Sequence, residues 1–522
     1  MKRKIVALLT TAVISTTLIF TGCGGQKKST TGGSEGKTLV YGQGADPRGL
    51  DPAYVDDGES SKVICNVYEG LLRYKKGSTE LEPALATKWN VSDDGKEYTF
   101  DLRKDVKFHD GTPFNADAVV YNIERQIPPK VKKDMPYAGF TYGDVKKVEK
   151  LDDLKVKVTL KEASTPFLAN LAMSLAAPMV SPTAAKKHDG NLNQNPVGTG
   201  PFKFVEWKKG QSITLERNED YWDGKAKSAK VVFKFTKENS VRASELMTGS
   251  ADIIDGIDPN DVKKLKDSKM KIFEEKGMNI NYMAFNASRA PFNDSKLREA
   301  ISYAINKPEL VKHLYQGYAD EAKAPMPDFI PGYNDKLTNH EYNPEKAKQL
   351  LKEAGKENME LKMITYSNPR PYNSVGGQKL AEAVQNYLAK IGVKAKIDVY
   401  PWKEYKTKVQ QGEGDLLFYG WIGDNGDADN FLSLLDTKEI ESSLNAAKYS
   451  NKEVDDLLSK ARKTPNGKER EDLYKKVQEK VMADSAWYPV SHAKSMAAYS
   501  PKVKNFELHP TGNAYLKDVE KE

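Results

Sequence analysis

The sequence predicts a mixed α/β protein of more than one domain, and three observations carry that reading. The chain has 522 residues. That is beyond what one hydrophobic core organises, so two or three domains of about 100–200 residues each are expected. The first half is rich in alternating apolar segments separated by turn signals, the mark of antiparallel strands. The second half carries amphipathic helical patterns followed by alternating strands, the unit of an α/β domain. Hydrophobic content of 39% and charged content of 29% suit a soluble globular protein.

The first residues read as a leader. Lys2, Arg3 and Lys4 form a basic start, and Ile5 to Phe20 is apolar and uncharged. That run is short for a bilayer span and right for a signal peptide. "FTGC" then puts Gly22 and Cys23 at its end, which resembles the bacterial lipobox, with Phe20 where Leu is commonest. The expectation is a lipoprotein signal peptide over residues 1–22 and a lipid on Cys23; the alternative is a plain secretory leader with an incidental cysteine. The Gly/Ser/Thr-rich run that follows reads as a flexible tether over residues 23–37. The one other cysteine, Cys65, sits in the helical pattern "SKVICNVYEGLL". With Cys23 lipidated it has no disulfide partner and reads as a small buried hydrophobe. No later stretch approaches 18 apolar residues, so no further span is expected.

The elements follow in order. "TLVYGQ" (Thr38 to Gln43) is a short strand. Tyr98 to Phe108 alternates and is preceded by Asp93-Asp94-Gly95, a hairpin turn signal. Val145 to Leu160 is a second hairpin, with Asp152 and Asp153 at its turn. Phe202 to Asn218 is a third, turning at Gly210. Beyond these, Asn343 caps a helix with Pro344 in its first turn and Gly355 at its end. "GQKLAEAVQNYLAKIG" is an amphipathic helix ending at Gly392, followed by a strand in which Val393, Ala395, Ile397 and Val399 alternate. "NKEVDDLLSKARKT" and "GKEREDLYKKVQEKVMADSA" are two more helices. "SMAAYS" and "VKNFELHP" return to strand character, as if the C-terminus rejoined the first domain.

Several function classes drop out. Formal charge is +7, but the 80 basic and 73 acidic residues are interspersed, with no basic block to track phosphate, so nucleic acid is not an expected partner. The six histidines lie at no metal-ligand spacing, and HExxH, CxxC, GxSxG and phosphate-loop patterns are absent. "DNGDADN" suggests a calcium loop, but the twelfth residue from Asp427 is Lys438, where an EF-hand needs Glu. No metal or cofactor is expected, and the sequence leaves a catalytic carboxylate pair open. Asp424, Asp427 and Asp429 therefore need another explanation.

The long ordered strings "YEGLLRY" (Tyr68 to Tyr74), "PALATKWNVSDDGKEYTFDLRKDVKFHDGTPFNADAVV" (Pro83 to Val120), "NPVGTGPFKFVEW" (Asn195 to Trp207) and "MAFNASRAPFNDSKLREAISYAINK" (Met283 to Lys307) resemble solute-binding protein family 5, the substrate-binding proteins of peptide and nickel ABC importers. "RPYN" (Arg370 to Asn373) and "GWIGDNGDADNF" (Gly420 to Phe431) are most similar to its dipeptide-binding members. The resemblance implies a two-lobed periplasmic-binding-protein-like fold (type II, large cluster) with an extra strand-rich subdomain on lobe I. Lobe I would comprise 38–277 plus 491–522, with the subdomain at about 70–195, and lobe II 278–490. It implies a monomeric, non-enzymatic binding subunit, anchored by lipid on the extracytoplasmic face, that delivers dipeptides or short peptides to permease and ATPase subunits on separate chains. An oligopeptide or pheromone receptor and a nickel-chelate binder share the fold and stand as alternatives, with an extracellular hydrolase as the alternative of another class.

By motif, the resemblance assigns Asp424 to the peptide α-ammonium and Arg370 to its carboxylate. Tyr372, Trp402 and Trp421 match aromatic positions of the family, and Asn425 and Gly58 complete the candidate ligand-binding set. His109 and Asp110 mark the family but take no ligand role. Ala428 stands where the family usually has Pro, and the run after "RPYN" departs slightly in length. Elementary chemistry agrees with the charged pair. Each terminus of a buried zwitterion needs an opposite charge. Asp is short and suits a compact ammonium, while Arg offers a planar fork to a carboxylate. The termini of an extended dipeptide lie roughly 6–7 Å apart, so two fixed posts measure ligand length. The run "DLLFYGW" reads as a buried strand, and Asp424 comes first after it, at the edge where α/β sites form. Gly426 then lets the chain turn, and Asp427 or Asp429 caps the helix near "NFLSLL".

Overall fold

A computed structural model describes residues 37–338, 340–442 and 444–522. The leader, Cys23 and the tether up to Gly36 lie outside them. The described residues build two large sheets. One has seven strands, in the order Lys271–Glu275, Ser495–Tyr499, Ile253–Asp255, Thr38–Gln43, Lys230–Phe235, Ser212–Arg217 and Phe202–Lys208. The other has six, in the order Ala319–Glu321, Trp487–Ala493, Asn279–Phe285, Leu416–Ile422, Glu360–Tyr366 and Lys394–Tyr400. Each sheet carries its own apolar core, with Tyr41, Phe202 and Phe233 in the first lobe and Tyr282, Tyr366, Tyr405 and Trp487 in the second. A third core, around Phe100, Tyr142 and Val158, fills the subdomain on the first lobe. It is roofed by the four-stranded antiparallel sheet Ala86–Val91, Glu97–Leu102, Lys155–Leu160 and Val145–Asp152.

The chain passes between the large sheets twice. The first passage is Lys276–Met278, between the strands Lys271–Glu275 and Asn279–Phe285. The second is Lys494, because Trp487–Ala493 still pairs with Asn279–Phe285 and the next strand, Ser495–Tyr499, already belongs to the first sheet. The return thus falls beyond the 490/491 boundary read from sequence, since strand character runs unbroken from Trp487 to Ala493. Asn279 stitches the passages together: its Nδ2 donates to the Ala493 carbonyl at 2.7 Å, and its Oδ1 accepts from the Ala493 N–H at 2.8 Å. Gly277 allows this approach, since a Cβ there would stand 2.1 Å from the Ala493 oxygen.

Local signals account for most elements. Asn343 Oδ1 accepts from the Lys346 N–H at 2.9 Å and caps Pro344–Glu353. Gly355 and Gly392 take the left-handed backbone that ends their helices. The three hairpins form as the turns predict. Two expectations shrink. The strand from Tyr98 stops at Leu102, because Asp105 adopts a left-handed conformation (φ 61°). Val106 and Phe108 then reach the subdomain core from a loop. Of "VKNFELHP" only Val503–Lys504 is strand, while Phe506 and Leu508 still bury in the first lobe. Cys65 is buried as expected, and burial pushes its thiol up. Among the described residues no helix is long and apolar enough to cross a membrane.

Candidate functional site

Two loops at the carboxyl edge of the second sheet carry the candidate charges. Glu360–Tyr366 and Leu416–Ile422 are parallel neighbours, with Met363 opposite Leu416 and Ile364 opposite Leu417. Arg370 follows the first strand and Asp424 the second. Side chains beyond the carboxyl ends of adjacent parallel strands face one crevice, where α/β sheets bind ligands.

Arg370 is held by a tight turn. Its backbone N–H and C=O exchange bonds with Asn373 at 3.0 and 2.8 Å. The Asn373 amide is fixed in turn, donating to the Tyr366 hydroxyl at 3.0 Å and accepting from Tyr315 at 3.0 Å, while Asn281 donates to Tyr315 at 2.9 Å. This buried chain runs back into the sheet and sets the turn rigidly. The guanidinium lies over the Trp402 ring, 4.2 Å from its centre. It makes no ion pair among the described residues, and its Nε is buried without a partner. The carboxylate whose field reaches it is Glu59, next to Gly58 on the first lobe.

Asp424 is the complementary case. Its side chain is half-buried, and its carboxylate accepts a 2.8 Å hydrogen bond from the Tyr137 hydroxyl of the first lobe. No cation partners it among the described residues. Burial pushes its carboxyl up to about 7; the Tyr137 bond pulls the other way, and the Asp56 carboxylate adds to the rise. The Tyr74 hydroxyl donates to the Asp424 carbonyl at 3.1 Å, a second bond across the lobes.

The neighbouring acids do other work. Asp427 Oδ1 accepts from the Asp429 N–H at 2.9 Å, just ahead of the short helix Asp429–Leu432, and both Asp427 oxygens are gripped by Arg470 at 2.8 Å. Asp429 is the first residue of that helix and not its cap: its carboxylate pairs with Arg462 at 2.8 Å, which also holds Asp436 at 2.8 Å. Neither capping candidate sits at the cap, which is Ala428 and has no side-chain cap bond; Asp427 instead closes a local turn onto the Asp429 N–H just ahead of the helix. Gly426 serves a different need from the turn expected of it. A Cβ there would stand 2.0 Å from Thr79 Oγ1, so glycine is required by the approach of the first lobe.

The remaining candidates divide. Trp421 joins Asp424 through Asn430, whose Oδ1 accepts from the indole N–H at 2.9 Å and from the Asp424 N–H at 3.1 Å. Trp402 is the platform under Arg370 and meets Tyr366 edge-on at 5.4 Å. Tyr372 lies in the Arg370 turn, 4% exposed, with its ring against Gly420 and its hydroxyl unpartnered. The Asn425 side chain is engaged in the seam between the lobes, donating to Asn170 Oδ1 at 2.8 Å. Gly58 opens the helix Gly58–Val67, capped by Asp57, and a Cβ there would meet nothing within 4 Å. Tyr137, Tyr74, Asn373 and Asn430 were not singled out from sequence. The first two lie 287 and 350 positions from Asp424 and leave no local signal, while Asn373 and Asn430 stand inside "RPYN" and "GWIGDNGDADNF" with no role assigned to them there. Among the described residues no group of three or more His, Cys, Asp or Glu is placed to hold a metal.

Two sheet-centred lobes, with Asp424 and Arg370 carried on neighbouring loops at the seam between them, form a frame suited to binding a ligand, and comparison gives the family. The chain belongs to the bacterial extracellular solute-binding proteins, family 5, whose middle-region model matches residues 80–443. It is similar to heme-binding protein A of Haemophilus influenzae, 39% identical over 516 residues, covering 92% of this chain and 91% of that protein. It is also similar to the dipeptide-binding protein of Escherichia coli, 35% identical over 513 residues, covering 93% and 95%. Among solved structures, the ABC transporter-associated periplasmic binding protein DppA of Helicobacter pylori, in complex with the peptide STSA, superposes with a TM-score of 0.84 at 35% identity over 93% of this chain and 98% of that one. The chain is therefore a substrate-binding protein of the ABC transporter type, and not an enzyme.

Proposed function

We propose that the chain is the lipid-anchored, extracytoplasmic binding subunit of a peptide importer, and that it takes dipeptides or short peptides between its lobes. One observation carries the reading: Asp424 and Arg370 are opposite charges, both half-buried, neither with an ion-pair partner among the described residues. Burying either charge uncompensated is costly. A zwitterion whose ammonium meets Asp424 and whose carboxylate meets Arg370 removes both costs at once. Trp402 presents the Arg370 fork, Trp421 and Tyr372 flank the two posts, and Asn425 acts by fixing the loop against the first lobe. Gly58 keeps the rim beside Glu59 open. The two lobes, divided at Lys276–Met278 and at Lys494, turn on those two passages. Cys23 carries the lipid, the protein works as a monomer, and the permease and ATPase are separate chains.

Heme is the ligand named for one relative. It would leave the ammonium post unanswered, so peptide is preferred. Native mass spectrometry of ligands co-purifying with the mature protein tests the proposal. Masses of free dipeptides or short peptides support it; heme, or a ligand lacking a free amine, overturns it.

A further inference from the structure

We infer that Asn430 is a positioning residue of the ammonium site, fixing the Asp424 backbone and the Trp421 indole through one carbonyl oxygen so that carboxylate and aromatic wall are set as a unit. The inference rests on the reading of Asp424 as the ammonium post. Both groups that meet Asn430 Oδ1, the Trp421 indole N–H at 2.9 Å and the Asp424 N–H at 3.1 Å, can only donate. The amide orientation is therefore chemically determined, since the flipped form would set donor against donor. The side chain is 1% exposed, and its Nδ2 has no partner. Both donors thus meet the acceptor end of the amide, and that end sets the geometry of the two groups.

The base on which Asn430 stands is rigid. It follows Asp429, which is paired with Arg462, and Asp427, which is gripped by Arg470. Phe431 packs on Gly423, where a Cβ would stand 2.7 Å from its ring. The two arginine pairs thus hold a short helix whose second residue reaches back to the site. Preorganising a binding group through a buried neighbour in this way sets its aim without touching ligand.

A double-mutant cycle tests this, read by titration with an unmodified dipeptide and by tryptophan emission. Asn430→Ala should weaken binding about tenfold, the worth of an ordering hydrogen bond, and shift the emission. In an Asp424→Asn background the same change should cost less than about threefold, because the group it positions is already gone. Asn430→Ser shortens the acceptor without adding charge beside Asp424. It should lose affinity in the wild-type background and less than about threefold in the Asp424→Asn background, and it carries the test if the alanine variant does not fold. Equal losses in both backgrounds, or wild-type affinity in Asn430→Ala, would overturn the inference. If Asp424→Asn cripples binding while Asn430→Ala does not, only this inference fails. If Asp424→Asn itself binds normally, the reading of the post fails and this inference with it.

Discussion

The Tyr137 hydroxyl, on the first lobe, donates to the Asp424 carboxylate of the second across 2.8 Å. It bonds the charged form of the acid and ties the lobes at the point where an ammonium would arrive. A carboxylate has lone pairs for both partners. Tyr137→Phe should therefore weaken dipeptide affinity by about tenfold, the low end for a hydrogen bond to a charged group. Titration calorimetry checks it, and an unchanged Kd would mean the hydroxyl stands outside the liganded arrangement.

The pH dependence of Asp424 has a definite sign. Its carboxyl is raised from 3.8 to about 7, chiefly by burial. Between those values the folded protein holds a proton that the unfolded chain has lost, so stability falls as pH rises through this window and levels off above it. Asp424→Asn lacks that loss. Without peptide, the variant and wild type should respond alike below about pH 4, and the variant should gain in melting temperature, relative to wild type, as pH rises to 8. Thermal melts across that range decide it; a difference independent of pH would contradict the burial account.

Asp429 and Asp427 should matter for stability and much less for ligand charge. Asp429→Ala leaves Arg462 buried with only Asp436, and breaking such a pair costs about 3 kcal/mol. That exceeds the roughly 1 kcal/mol a lost cap would cost. Denaturant unfolding should show the larger loss, and a loss near the cap value would mean the pair is open to solvent.

The cluster Asp424, Asp427 and Asp429 shows what sequence makes legible. Asp424 stands where a local pattern can be read, first after an apolar strand, whereas Arg370 in "RPYN" is marked only by the family resemblance. Helix ends at Asn343, Gly355 and Gly392 were equally readable, since capping is local. The division of labour among Asp424, Asp427 and Asp429 was not. It depends on Arg462 and Arg470, which arrive from later helices, and on Tyr137, which arrives from another lobe. Asn425 illustrates the same limit: its partner Asn170 lies 255 positions away. Pairings of this range leave no periodicity to detect.

The lipid anchor makes a separate prediction. Cys23→Ala should move the protein from the membrane fraction to the soluble extracytoplasmic fraction, because stable anchoring depends on attached acyl chains. Fractionation and immunoblotting check this, and unchanged membrane retention would exclude Cys23 as the anchor.

The central claim is that Asp424 and Arg370 hold the two ends of one zwitterion, and calorimetry tests it most directly. Titrate wild type, Asp424→Asn and Arg370→Met with the same dipeptide. Each variant should lose about 2–5 kcal/mol of binding free energy, roughly thirty-fold to a few thousand-fold in affinity, while remaining folded. An N-acetylated dipeptide should bind wild type poorly and gain little further loss from Asp424→Asn. Near-wild-type affinity of the unmodified dipeptide for either folded variant would mean that terminus is held elsewhere, and the account would be wrong.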